Sequence, residues 1–137
     1  MAYKVFQAKT KSIPGTDFRE VHKKAMAMFI QIKKQSKRRT YVRSAYFDKD
    51  KIFLDILWSH LFGKANWRDR VRRIKYFPPA MELIKHSKFK PKTKENPNKA
   101  GEIFHRFSGI TTNSELFHIQ IKEHIKNRTK ISYVDFP

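Results

Sequence analysis

Histidine, arginine, lysine, glutamine and serine recur in the last third of the chain, where strands would aim them together. His105-Arg106, Gln120 with Lys122, and Ser132 lie in three short segments rich in Phe, Ile and Tyr, while His60 and the Arg70/Arg73 pair lie upstream. These residue types suit phosphodiester cleavage without a metal. The reaction needs a base for the ribose 2′-hydroxyl, an acid for the departing 5′-oxygen, and fixed cations on the charged transition state. Imidazole changes charge near neutral pH and can serve as acid or base. A guanidinium presents a planar fork to two phosphate oxygens.

Strand register decides which of these side chains meet. Phe117, Ile119 and Ile121 alternate with His118, Gln120 and Lys122, the pattern of a half-buried strand with one polar face. Two loop residues in the Thr112–Ser114 connection would put His105 on that polar face; three would put Arg106 there and turn His105 toward the apolar side. Both registers fit the sequence. Each candidate also has a plainer role. His105 can pack as a strand residue against Phe104 and Phe107. His60, on the apolar stripe of its helix, can be a hydrogen-bonded core histidine. The chain has 6 His and no Cys, its histidines lack the spacing of a metal set, and it carries no phosphate-binding glycine loop and no HExxH. No metal or other cofactor is expected.

The elements that must position these residues read as helices first and a sheet afterwards. Asp17 and Glu20 open an amphipathic helix over about 18–36, with Phe18, Val21, Ala25, Met28, Phe29 and Ile32 as its apolar stripe. A short strand over 3–8 precedes it. Asp48 is placed to cap a second helix over about 49–62, ended by Gly63. An arginine-rich helix over 67–76 and a helix over Ala80–Lys85, started by Pro79, follow. Residues 88–101 are basic and rich in Pro and Asn, the best candidate for a mobile loop. Three strand-like segments then cover 102–137. The expected fold is α+β, N-terminal helices followed by a C-terminal antiparallel β-meander. With 137 residues it should be one domain: a helical part over 17–87, the basic loop and the antiparallel sheet.

The charge says what such a domain should meet. The chain carries 31 Lys and Arg against 12 Asp and Glu, a formal net charge of +19. That excess adds nothing to fold stability, because like charges repel in the compact state. Lys33, Lys34, Lys37, Arg38 and Arg39 crowd the end of the first helix, Arg43 follows, and Arg70, Arg72 and Arg73 stud the later one. Helix-dipole compensation and solvation are one account of the first cluster; a phosphate-contacting patch is the other, since five cations in seven residues exceed what capping needs. The expected partner is nucleic acid, RNA rather than DNA, with a small acidic antitoxin or immunity protein as a further partner. No apolar run approaches the length of a membrane span, and the first residues lack the apolar core of a signal peptide. No membrane contact and a cytoplasmic location are expected.

Three stretches carry a family resemblance. Glu102-Ile-Phe-His-Arg-Phe-Ser-Gly-Ile-Thr, then Glu115-Leu-Phe-His-Ile-Gln-Ile-Lys-Glu, then Ile131-Ser-Tyr-Val-Asp-Phe-Pro137 resemble the "RFxG … lFxVQIKE … Ser … FP" ending of a group of short bacterial and mobile-element proteins. That group is similar to the barnase–EndoU–colicin–RelE class of ribonucleases. The resemblance covers about 36 residues and departs from the pattern in the Tyr-Val-Asp between Ser132 and Phe136. It implies N-terminal helices on a curved antiparallel sheet and metal-independent RNA cleavage of toxin type. It implicates Arg106, Gln120 and Lys122, with His105 and Ser132 beside them. The rival expectation is a non-catalytic nucleic-acid-binding module that contacts phosphates through its Arg/Lys clusters.

Overall fold

The computed structural model describes residues 5–15, 17–36, 38–57, 73–126 and 128–134. Seven strands form one curled sheet: β1 (Phe6–Gln7), β2 (Tyr41–Arg43), β3 (Lys51–Phe53), β4 (Lys92–Glu95), β5 (Glu102–Ile110), β6 (Leu116–His124) and β7 (Lys130–Val134). Their order is β1-β5-β6-β7-β3-β2, and β4 also pairs with β5. β4 takes the outer edge of β5 at Ile103–Arg106, and β1 takes the same edge at Gly109–Ile110. β1–β5 and β3–β7 are parallel, and the other pairs are antiparallel.

The expectation of N-terminal helices followed by an antiparallel meander is corrected by this sheet, which is mixed and draws strands from both halves of the chain. Of the helix expected over 49–62, Lys51–Phe53 is a strand, only residues 55–57 are helical, and 58–62 lie outside the described residues. Asp48, expected as a helix cap, instead sits with Lys49 in left-handed conformation (φ 55 and 68) in the turn between β2 and β3. Ile52 fits an apolar helical stripe and an alternating strand equally well. Its pairing with Val42 across that turn, with both side chains buried, decides for the strand. The basic 88–101 segment is likewise ordered in part. β4 is hydrogen-bonded along β5 with all its side chains exposed, so it carries no apolar alternation to announce it.

Among the described residues, two long helices form for local reasons and cover one face of the sheet. In α1 (Phe18–Lys34), Asp17 accepts a hydrogen bond from the Arg19 N–H. Val21, Ala25 and Ile32 are buried, and Met28 and Phe29 pack on the same core. α2 (Phe77–His86) starts on Pro78 and Pro79, whose fixed φ suits a first turn, and buries Phe77, Ala80, Met81, Leu83 and Ile84. Its Glu82 carboxylate accepts the backbone N–H groups of Lys9 and Thr10, which anchors the chain just after β1. Phe107, Phe117, Ile119 and Ile121 supply the sheet's share of the core. Gly109 is needed there: a Cβ on it would stand 2.5 Å from the Phe117 ring and 2.9 Å from Leu83. Among the described residues, no helix is long and apolar enough to cross a membrane.

Candidate functional site

The β5–β6 connection settles the register. Thr111 N–H bonds to Glu115 C=O (2.9 Å), Ser114 N–H to Thr111 C=O (3.0 Å), and Ser114 is left-handed (φ 65). Thr111 Oγ1 accepts the Glu115 N–H at 3.0 Å and donates to Asn113 Oδ1 at 2.6 Å. Thr112–Ser114 is thus a three-residue loop whose last residue takes the left-handed position. The outcome is Arg106 opposite Gln120, flanked by the pairs Phe104–Lys122 and Ser108–His118. Directly opposed residues share a face, so Arg106, Gln120, Lys122, His118 and Ser108 all lie on the face away from α1 and α2. Arg106 is exposed and the other four are half-buried.

His105 and Ser132 fall on the opposite face. His105 pairs with Ile121, which pairs in turn with Ser132. His105 is 7% exposed and Ser132 0%. The His105 ring is fully engaged: Nδ1 lies 3.0 Å from Thr93 Oγ1, Nε2 2.8 Å from Glu123 Oε1, and the Phe47 ring meets it edge-on at 4.9 Å. Ser132 Oγ has no hydrogen-bond partner among the described residues. The five C-terminal candidates therefore divide between two faces of the sheet and form no single site.

On the polar face, Ser108 Oγ holds His118 Nδ1 at 2.9 Å and so orients the imidazole. Neither residue was singled out as a site residue from sequence; the signal was there in the alternation of 117–122 once the loop length is known. Lys122 is positioned by Glu102, at 3.5 Å. Glu102 is 4% exposed and also meets Lys99 (3.4 Å), His124 (3.5 Å) and the Asn96 side-chain amide (2.9 Å). Burial pushes its pKa upward, but the Asn96 hydrogen bond and the Lys122 and Lys99 ammonium groups outweigh that and hold its carboxyl below the ordinary value. An ionised Glu102 fixes the Lys122 ammonium in place on the sheet.

The expected binding residues are dispersed. Lys33 and Lys34 are exposed in the last turn of α1, and Arg38 is exposed with φ 62. Arg39 forks onto Asp55 (3.1 and 3.0 Å) with its guanidinium 4.1 Å over the Phe53 ring. Arg43 is exposed, donates to Lys49 C=O at 2.9 Å and lies 5.5 Å over Tyr41. Arg73 is half-buried in a helical turn. Lys37, His60, Arg70 and Arg72 lie outside the described residues. Among the described residues no group of three or more His, Asp or Glu is placed to hold a metal ion. Comparison with known proteins finds no matching family, no matching curated protein and no matching solved structure.

Proposed function

We propose that this protein binds RNA across the polar face of its sheet and cleaves it without a metal, as an endoribonuclease of toxin type. The observation that carries this reading is the β5–β6 register, which sets Arg106 and Gln120 side by side between Lys122 and His118. The net charge of +19 and the C-terminal resemblance support it. In this reading Arg106 and Lys122 hold the phosphate and offset charge on the transition state. Gln120 orients it by hydrogen bonds. His118 takes the proton of the ribose 2′-hydroxyl as its oxygen attacks phosphorus. The bond to the 5′-oxygen breaks, the imidazolium returns a proton to that oxygen, and a 2′,3′-cyclic phosphate and a 5′-hydroxyl result.

A second reading, a non-catalytic RNA-binding module, draws on the burial of His105 and Ser132 away from the polar face. One assay separates the two. Purified protein and end-labelled RNA are incubated in EDTA across several pH values. The catalytic reading expects fragments with cyclic phosphate ends, formed about 100-fold or more slowly by His118→Ala. Binding without any cleavage would leave the module reading in its place.

A further inference from the structure

A second basic feature lies at the β2–β3 edge of the same sheet. A cleft of about 430 Å³ opens between the β2–β3 turn and the start of β7. Arg43, Lys49, Lys51, Arg128 and Lys130 line it, and among the described residues Asp50 is the sole carboxylate in its wall. Three of these cations, Arg43, Lys51 and Lys130, are held in place before any ligand arrives. Lys130 is 4% exposed, with its Nζ 2.8 Å from Asp50, 3.4 Å from Glu123 and 5.0 Å from the centre of the Phe47 ring. The Tyr41 ring carries Lys51 Nζ at 4.7 Å and the Arg43 guanidinium at 5.5 Å. Groups fixed in this way lose little side-chain freedom on binding.

The backbone gives a second, independent sign. Lys49 and Arg128, both in the cleft wall, are left-handed (φ 68 and 57). Turns that need this conformation usually take Gly, Asn or Asp, and a long basic side chain there is uncommon. Strained residues of this kind gather at ligand clamps.

We propose that the cleft is a phosphate subsite of the RNA-binding surface, taking a backbone phosphate of the strand that crosses the polar face. The proposal rests on the RNA reading above. Phe53, at the lip of the cleft, pairs with Ile131, which pairs with Lys122. The subsite is therefore two strand spacings, about 10 Å, from Lys122, a gap that one single-stranded segment bridges.

The test uses a labelled single-stranded RNA methylated at every 2′-oxygen, which binds but cannot be cut. Affinity at several salt concentrations and melting temperature are measured for wild type, Lys49→Gly and Arg128→Gly. Glycine removes the cation and relieves the backbone. Each variant should bind about tenfold more weakly, lower the salt slope by about 0.7, and melt at the same or a higher temperature. Lys49→Asn, which keeps a residue tolerant of the left-handed region, gives the same test should a glycine variant fail to fold. Wild-type affinity and slope in these variants, with binding lost in Arg106→Ala, would overturn the subsite and leave the RNA reading standing. Failure of the wild type to bind the RNA would overturn both.

Discussion

His105 and Arg106 are neighbours in sequence with opposite fates. His105 is locked between Thr93, Glu123 and Phe47, while Arg106 stands on the polar face opposite Gln120. His105→Ala should lower unfolding stability by about 1–3 kcal/mol, because two part-buried hydrogen bonds lose a partner and a buried ring is removed. Arg106→Ala should stay within about 0.5 kcal/mol of wild type. Denaturant titration of both variants checks this; equal, small losses would remove the structural role from His105. The residue types were legible in the sequence, and so were the two registers. The choice between them was not. It depends on Ser114 taking φ 65 and on Thr111 Oγ1 holding the Glu115 N–H, and Thr-Asn-Ser carries no glycine to announce a left-handed position.

The β5–β6 hairpin positions the candidate site, and one carboxylate ties its loop to the rest of the chain. Glu115 accepts hydrogen bonds from Ser12 Oγ (2.7 Å) and from the Tyr76 hydroxyl (3.0 Å), joining the segment before α1 and the entry to α2. The Ser12 bond, aided by Tyr76, Asn113 and Lys75 and opposed by burial, holds its pKa below the ordinary 4.5. A carboxyl lowered in the folded state contributes stability that is present above that ordinary value. The contribution is lost as pH falls from about 4.5 through the lowered folded value. Glu115→Gln should therefore cost on the order of 1 kcal/mol at neutral pH, a figure discounted for solvent screening. The difference from wild type should shrink toward zero in acid. Melting curves at pH 7 and below pH 4 check it, and a penalty that grows in acid would contradict the assignment. At this scale the long elements were legible: α1, α2, β5, β6 and β7 are each long enough to show a period. β3 and β4 were not, one being too short for its alternation to register and the other having only exposed side chains.

Across the described residues, α1, α2 and the apolar core of the sheet take one face together with His105 and Ser132, and Arg106, Gln120, Lys122, His118 and Ser108 take the other. Composition made the basic character plain, and with it the expectation of a polyanionic partner. The mixed sheet was beyond local patterning. Its parallel contacts join Phe6 to Gly109 and Ile52 to Lys130, and periodicity says nothing about partners so distant in sequence. Those contacts set the cationic cleft on the same sheet as Arg106, Gln120 and Lys122. The central claim is that the polar face, and not the charge excess alone, binds RNA. The most direct measurement compares the affinity of Arg106→Ala and Arg19→Ala for the same uncleavable single-stranded RNA at one moderate salt concentration. Each removes one positive charge; Arg19 is exposed in the first turn of α1, away from the sheet's polar face. The account predicts a loss of about tenfold or more for Arg106→Ala and near wild-type affinity for Arg19→Ala. Equal losses would contradict it.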